Sequence, residues 1–246
     1  MKTEIQKKIK DVFEKQKDFF RMQSTKEITF RKMQLQNFRK VFTSYTDAIC
    51  EALNIDLGKS RVEAEYAEIQ IVLNELDDMI QNMEEWVKPT FVKSKPHTSG
   101  AEVISKYIYE PYGVNYIIGP FNYPVQLTFS PLIGALMAGN TAIIKPSENT
   151  PHVAKVIEEI VKEAFDEKYV AVFQGSIEEN SFLLTLPFDY IFFTGSPKVG
   201  KIIMKAAAEQ LIPLTLELGG KSPTIVHHDA NLEKAVQRIS SGKWIN

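Results

Sequence analysis

The chain has 246 residues, 44% of them hydrophobic and 24% charged, and its net charge at pH 7 is −2. This composition is ordinary for a globular protein, and the near-neutral charge gives no indication of a nucleic-acid partner. The single cysteine, Cys50, excludes an internal disulfide and fits a reducing, cytoplasmic location. Four scattered histidines show no metal-ligand spacing, so no metal site is predicted. The longest apolar stretch, Pro131 to Ile144, is too short and too interrupted to span a bilayer, so no membrane-spanning segment is expected.

The N-terminal third of the chain is predicted to be mostly helical, because its apolar residues recur at intervals of three and four. One helix is predicted near residues 5–20, a second from Thr25 to Leu53, and a third from Glu63 to Trp86. Pro89 to Gly100, with two prolines, two serines and a glycine, is predicted to be a linker. Val103 to Tyr109 is predicted to be a strand.

From Val114 onward, strand-like and helix-like segments alternate, which is typical of an α/β fold with a doubly wound parallel sheet. The predicted strands are Val114–Gly119, Thr141–Ile144, Val170–Phe173, Tyr190–Phe193, Leu214–Leu216 and Thr224–Val226. The predicted helices are Ser130–Ala138, Pro151–Phe165, Ser176–Leu184, Lys198–Glu209 and Asn231–Lys243, the last with Asp229 or Asn231 as its N-cap.

A glycine turn, Gly195 to Gly200, follows one predicted strand and begins the next helix. Free N–H groups and the positive end of the helix dipole favour a phosphate at such a turn. The turn fits the pattern G-x-x-x-x-G-K, but Ile202 stands where a P-loop has the Ser or Thr that binds Mg²⁺. The missing hydroxyl argues against an NTPase, and a plain strand-to-helix turn remains the alternative.

Lys145 and Glu148 follow another predicted strand, where an ammonium and a carboxylate can bridge the hydroxyls of a ribose. On these residues alone, an ordinary loop with Glu148 as a helix-start acid is favoured. Asn122 lies between Pro120 and Pro124, which restrict the backbone around its amide. A fixed amide N–H is a suitable donor to a developing oxyanion, although Asn in such a turn is usually turn chemistry.

Glu217 follows the strand Leu214–Leu216 and precedes two glycines, Gly219 and Gly220. An acid at the carboxyl end of a buried strand lies where open α/β sheets bind their ligands, and a solvent-facing carboxylate is the alternative. Each of the four loops described above follows a predicted strand. We therefore expect the four loops to meet at one edge of the sheet.

The sequences of these four loops resemble those of a known family. The segments PFNYP, IIKPSE, FFTGSPKVG and LELGGKSP, in this order and spacing, are similar to motifs of the aldehyde dehydrogenase superfamily. ALNIDLGKSRVEAEYAEI and WVKP resemble the branch of the class 3 and fatty aldehyde dehydrogenases. The similarity extends over nearly the whole chain and is least distinctive in the first twenty or so residues.

The resemblance implies oxidation of an aldehyde to an acid through a cysteine thioester and hydride transfer, with NAD as the cofactor and NADP as the alternative. It implies that Asn122 donates to the thiohemiacetal oxyanion and that Glu217 is the general base that activates water for deacylation, with activation of the nucleophile as a further role. It places Lys145 and Glu148 at the adenosine ribose. The residues that it places beside the pyrophosphate are Gly195, Ser196, Val199 and Gly200.

The resemblance also implies a domain organisation: residues 1–98 as a helical part on the cofactor domain, 99–112 as one strand of an oligomerisation β-arm, and 113–246 as a Rossmann-like dinucleotide-binding domain. The family's nucleophilic cysteine lies in a G-Q-x-C motif that these residues lack. We therefore expect a truncated cofactor-binding half that is inactive alone, and a homo-oligomer, such as a dimer, for the full-length protein. A non-catalytic dinucleotide-binding fragment or interaction module is the alternative.

Overall fold

Five parallel strands form the centre of the molecule in a computed structural model that describes residues 2–95 and 103–244. The strands are β1 (Thr90–Val92), β2 (Ser105–Tyr107), β3 (Val114–Ile118), β4 (Thr141–Lys145), β5 (Val170–Val172), β6 (Tyr190–Gly195) and β7 (Leu214–Leu218). The helices are α1 (Lys2–Arg21), α2 (Ile28–Ser44), α3 (Thr46–Leu57), α4 (Arg61–Ala64), α5 (Gln70–Trp86), α6 (Gln126–Ala138), α7 (Pro151–Ala164), α8 (Ile177–Leu183), α9 (Pro197–Glu209) and α10 (Leu232–Lys243). A 3₁₀ turn spans Ser24–Lys26, and a π-turn, Glu65–Ile69, joins α4 to α5.

The main sheet has the strand order β5-β4-β3-β6-β7, and every neighbouring pair is parallel. This confirms the predicted doubly wound sheet. The chain moves outward from β3 to β4 and β5, then returns to the other side of β3 for β6 and β7. Such a reversal leaves a crevice at the carboxyl ends of the two central strands.

Helices cover both faces of the sheet, because alternate residues of each strand point to opposite sides. Ile117 of β3 belongs to a core that it shares with α2, α3, α5, α6 and α7. Its neighbours Tyr116 and Ile118 belong to a second core with α1, α8 and α9. The chain therefore leaves β3 for one face through α6 and leaves β6 for the opposite face through α9.

The N-terminal helices pack directly on the α/β part. The ring of Phe38 in α2 lies 5.1 Å from that of Phe129 in α6, and the ring of Phe42 lies 5.5 Å from it, measured between centroids. All three side chains are fully buried. Aromatic pairs at such distances contribute packing energy beyond their buried area. The helical segment therefore shares one continuous core with the sheet.

The single helix predicted from Thr25 to Leu53 is wrong, because the structure divides it into α2 and α3 at Tyr45. Tyr45 has φ −94° and ψ 7°, and its N–H bonds to the carbonyl of Phe42. The hydroxyl of Ser44 also bonds to a backbone carbonyl one turn earlier. Local bonds of this kind compete with regular helix hydrogen bonding, which periodicity alone does not reveal.

The predicted linker, Pro89 to Gly100, is wrong for its first part. Thr90–Val92 forms β1 and pairs antiparallel with β2, with Thr90 opposite Tyr107. Its β-branched and aromatic residues favour a strand, although the surrounding prolines and serines favoured a loop. The predicted strand Val103 to Tyr109 is confirmed in its centre, and residues 96–102 lie outside the described residues. The assignment of 99–112 to an oligomerisation arm stays a prediction.

The predicted strand Thr224–Val226 is also wrong. This segment has no strand pairing, and Ile225 is 89% exposed. An apolar run forms a strand only where another strand offers hydrogen bonds, and within the described residues β7 has a partner only in β6. The helix that follows is confirmed, with the side chain of Asn231 accepting a bond of 2.9 Å from the N–H of Lys234. No described helix has the length and apolar character needed to cross a membrane.

The structure has no room for a side chain at Gly119, where β3 and α6 approach each other closely. A Cβ at this position would lie 2.2 Å from Oγ1 of the buried Thr128. We expect Gly119→Ala to lower the free energy of unfolding by about 1–3 kcal/mol because the site is overpacked, as measured by urea denaturation. Thr128→Ala in the same chain should restore much of the loss.

Gly134→Ala is the matched control, because a Cβ at Gly134 of α6 meets no atom within 4 Å. It should raise the stability by roughly 0.5–1 kcal/mol through helix propensity. Equal effects of the two glycine variants would contradict the close approach at Gly119.

Candidate functional site

An open cleft of about 1160 Å³ lies across the carboxyl ends of β3, β6 and β7, with α6 along one wall. All four predicted loops reach it. The predicted site residues that line the cleft are Asn122, Glu148, Gly195, Ser196, Val199 and Glu217. The other two, Lys145 and Gly200, are buried and are absent from the lining.

The N-terminus of α9 forms one part of the cleft. Ser196 is the N-cap, and its hydroxyl accepts a bond of 3.3 Å from the N–H of Val199. Pro197 occupies the first helical position, where its fixed φ suits the helix and its missing N–H costs nothing. A Cβ on Gly195 would lie 2.5 Å from the ring of Phe193, so this position has no room for a side chain. The positive end of the α9 dipole therefore faces the cleft and favours an anion there.

Lys145 and Glu148 form an ion pair at the end of β4. The ammonium of Lys145 is 1% exposed and donates to Glu148 Oε2 and to the Pro146 carbonyl, both at 2.8 Å. Lys has three N–H donors, so one N–H has no acceptor among the described residues. Partial burial opposes ionisation of Glu148, but the hydrogen bond and charge of Lys145 outweigh it and lower the pKa of the Glu148 carboxyl. The pair presents an ionised carboxylate to the cleft.

Sequence reasoning missed two residues beside this pair. The hydroxyl of Tyr116 donates a bond of 2.6 Å to Oδ1 of Asn180, which lines the cleft. Complete burial, with a smaller contribution from the Glu148 charge, raises the pKa of Tyr116. Tyr116 lies in an apolar strand and Asn180 lies in a short helix. Neither belongs to a motif, so the sequence did not indicate a role at the cleft for either residue.

Asn122 and Glu217 also line the cleft. Asn122 is partly buried, in the loop between β3 and α6. Glu217 lies within β7, opposite Thr194 of β6, because β7 extends two residues further than predicted. Among the described residues, the Glu217 carboxylate has no hydrogen-bond or ion-pair partner. It is therefore free to accept a proton or a hydrogen bond from a bound molecule.

The side chains of α6 that line the cleft are mainly apolar, and several of them are small. These residues include Leu127, Pro131, Gly134 and Ala138. Two polar atoms of the lining, Asn115 Oδ1 and Thr194 Oγ1, are buried without a hydrogen-bond partner in the described structure. Buried polar atoms without a partner are uncommon, and a molecule bound in the cleft can bond to these two.

The described residues contain no group of three or more His, Cys, Asp or Glu side chains that could hold a metal ion. Cys50 is buried in the helical core and is not part of the cleft lining. Burial raises the pKa of its thiol, which disfavours the reactive thiolate.

A cleft at the switch point of a doubly wound sheet, with a helix N-terminus and an ionised carboxylate at its edge, is typical of dinucleotide-binding α/β domains. The family model described as "Aldehyde dehydrogenase family" matches residues 2–246. The chain belongs to this family.

Two curated relatives agree with this family membership. The chain is 50% identical to a 4,4'-diaponeurosporen-aldehyde dehydrogenase of Staphylococcus aureus, over 97% of this chain and 51% of the relative. It is 42% identical to aldehyde dehydrogenase family 3 member A2 of Macaca fascicularis, over 90% of this chain and 45% of the relative. The predicted resemblance to the class 3 branch is confirmed, and the chain spans about half the length of these relatives.

Solved structures share the fold. A substrate-bound aldehyde dehydrogenase of Staphylococcus aureus superimposes with a TM-score of 0.92 at 50% identity, covering 96% of this chain and 51% of that one. A glyceraldehyde-3-phosphate dehydrogenase of Methanocaldococcus jannaschii, complexed with NADP, gives a TM-score of 0.82 at 26% identity, covering 98% and 52%. Both agree with a Rossmann-like half of the family fold.

Glu148→Gln tests the ion pair with Lys145. We expect the variant to be less stable by about 1 kcal/mol at pH 7, since the Glu148 side chain is 46% exposed and solvent screens the pair. Because folding lowers the pKa of Glu148, this contribution is complete above the unfolded value of about 4.3 and disappears as the pH falls through the folded value. Urea denaturation between pH 3 and pH 7 measures it.

Glu159→Gln is the control, because Glu159 pairs with Lys155 on the exposed surface of α7 at 3.9 Å. It should have no measurable effect on stability. A difference between wild type and Glu148→Gln that stayed constant down to pH 3 would contradict the ion pair.

Proposed function

We propose that this chain is the coenzyme-binding half of an NAD(P)-dependent aldehyde dehydrogenase that oxidises an aldehyde to a carboxylic acid. One observation carries the proposal: the N-terminus of α9, Glu148 and Glu217 line the same cleft at the switch point of the sheet. This arrangement places a helix N-terminus that favours an anion, an ionised carboxylate and an unpartnered carboxylate along one edge of the sheet. The family membership supports the same conclusion.

The residues of the cleft fit a dinucleotide. The pyrophosphate would lie at the N-terminus of α9, beside Gly195 and Ser196, where the free N–H groups and the positive end of the helix dipole favour an anion. Val199 and Gly200 would form the first turn of this site. The adenosine ribose would bond to the carboxylate of Glu148 and to the free N–H of Lys145. When bound, the coenzyme would supply the hydride acceptor.

The remaining polar residues would act on the substrate. Asn122 would donate its amide N–H to the oxygen that becomes negative when a thiol adds to the aldehyde. Glu217 would take a proton from water, so that the hydroxide attacks the thioester carbonyl and the thiolate leaves. The unpartnered carboxylate of Glu217 suits a group that must bind and release a proton. The apolar wall of α6 would hold the organic part of the aldehyde.

The thiol nucleophile is proposed to come from a segment outside this sequence. Cys50 is the single cysteine of the 246 residues, and it is buried away from the cleft lining. We therefore expect this chain to bind the coenzyme without oxidising aldehydes by itself. The homo-oligomeric state, the cytoplasmic location and the domain boundaries at residues 98 and 112 stay predictions.

The carboxylates near the proposed ribose position favour NAD over NADP as the coenzyme. Glu148 is ionised beside Lys145. Hydrogen bonds from Ser176 are the largest cause of the lowered pKa of Glu179, and the charge of Lys145 adds a smaller contribution. The backbone and hydroxyl of Ser176 hold the Glu179 carboxylate, at 2.7 and 3.0 Å. Two carboxylates near the ribose would repel a 2′-phosphate.

Lys145→Met tests coenzyme binding. Removing the ammonium should weaken NAD⁺ binding by about tenfold to hundredfold in titration calorimetry, because a charge-assisted hydrogen bond to the ribose is lost. Lys155→Met is the control, since Lys155 is an exposed lysine of α7 outside the cleft. Wild-type chain that binds neither NAD⁺ nor NADP⁺ at millimolar concentration would overturn the proposed function.

Glu217→Gln tests the role of the base, and distinguishes half of an enzyme from a binding module. In a polypeptide that continues this chain with the second half of the Staphylococcus aureus relative, we expect acid formation to fall by about 10²–10⁴-fold. The affinity for NAD⁺ should stay unchanged, because Glu217 does not contact the proposed ribose or pyrophosphate sites. Unchanged turnover in the variant would exclude Glu217 as the base.

A further inference from the structure

A buried ion pair lies behind the loop that carries Asn122. Nζ of Lys59 is 2.8 Å from Oε1 of Glu68, and the two side chains are 4% and 0% exposed. Lys59 follows the left-handed residue Gly58 at the end of α3, and Glu68 lies in the π-turn between α4 and α5. Neither side chain lines the cleft. Buried pairs are costly to desolvate and are weak evidence for a purely stabilising role.

Both members of the pair are bonded to the same loop. Lys59 Nζ also donates to the backbone carbonyl of Asn122 at 2.7 Å, and it lies 3.9 Å from the ring centroid of Tyr123. Oε2 of Glu68 accepts from the N–H groups of Val125 and Gln126, at 2.8 and 3.1 Å. The ammonium and the carboxylate together therefore hold three backbone atoms between Asn122 and the start of α6.

The π-turn explains how Glu68 reaches this position. Its wider backbone turn buries Ala67, Glu68 and Ile69 on the side of α6. Single π-turns inside α-helices are rare and occur frequently at functional sites. Burial raises the pKa of the Glu68 carboxyl, while Lys59 and the two loop N–H groups act in the opposite direction. The carboxylate has a bonded partner for each oxygen, so the network is satisfied.

We propose that Lys59 and Glu68 are positioning residues, which fix the backbone of Asn122 so that its amide N–H points into the cleft. This inference rests on the proposed role of Asn122 as the oxyanion donor. An oxyanion donor is effective only when it is held in place before the reaction, because reorienting it during the reaction costs free energy. The Asn122 side chain makes no hydrogen bond of its own in the described structure, so its orientation depends on its backbone.

The pair cannot be replaced by apolar residues without an effect on the loop. A Lys59→Met/Glu68→Leu double variant avoids an unpaired buried charge and should fold. It nevertheless leaves the Asn122 carbonyl and the N–H groups of Val125 and Gln126 without partners. We therefore expect a loosened loop within an intact fold.

The test uses nuclear magnetic resonance of this chain. In the double variant, the side-chain amide of Asn122, assigned by its loss in Asn122→Asp, should have a markedly lower order parameter than in wild type. The backbone amides of Val125 and Gln126 should exchange with solvent at least about tenfold faster, since each loses a bond to a charged group. The amide of Ala142, which bonds to the Tyr169 carbonyl in the sheet, should exchange at the wild-type rate.

Two further variants separate positioning from general destabilisation. Lys32→Met removes a lysine that pairs with Glu84 at 2.6 Å on the exposed surface, and it should leave all these signals unchanged. Glu68→Gln keeps a carbonyl acceptor for the loop, so its exchange rates should lie between those of wild type and the double variant. An Asn122 side chain as ordered in the double variant as in wild type would overturn the proposal. So would acceleration at Ala142 equal to that at Val125.

NAD⁺ titration of the same samples keeps the two proposals distinguishable. The double variant should bind NAD⁺ as wild type does, because Lys59 and Glu68 lie away from Glu148 and α9. If no sample binds NAD⁺, the proposed function fails, whereas the order of Asn122 still decides whether the pair positions it.

Discussion

The reversal of strand order at β3 and β6 is the constraint on which the rest of the structure depends. The two strands lie side by side and parallel, but the chain leaves β3 for one face of the sheet and β6 for the other. Their loops therefore diverge and leave an opening that no backbone fills. Helix α9 begins at this opening and directs its free N–H groups into it, and α6 begins on the opposite wall with small apolar residues. The cleft therefore has a polar end, formed by α9, and an apolar end, formed by α6.

The buried lysines of the described chain lie in one region, near the cleft. Lys59 and Lys145 are the two buried lysines of the described chain, and each is paired with a glutamate that bonds to, or belongs to, a loop at the cleft. A buried ammonium is expensive unless it is fully bonded, so a fold has little reason to contain one for stability alone. Instead, Lys59 bonds to the backbone of the Asn122 loop and Lys145 bonds to the carboxylate of Glu148, so each lysine fixes the position of its partner. The two pairs thus perform the same physical task, one behind the Asn122 loop and one at the end of β4.

Much of the fold and the cleft was predictable because the signals are local. Strand-to-helix alternation indicated the parallel sheet, and residues such as Glu217 and Ser196 follow strands directly, so the topology brings them together. The pair of Lys59 and Glu68 was not predictable, because its partners lie about sixty residues away and its residues read as ordinary helix surface. Thr224–Val226 was predicted as a strand from its residues, but a strand requires a neighbour, and the described sheet offers none there.

A crystal structure of this chain grown with NAD⁺ tests the central claim most directly. We expect one coenzyme in the cleft, with a ribose hydroxyl within hydrogen-bond distance of Glu148 and Lys145, and the pyrophosphate at the N-terminus of α9. The nicotinamide should then lie between Asn122 and Glu217. Coenzyme bound elsewhere on the chain, or bound in the cleft with its phosphates away from Ser196, would contradict the account.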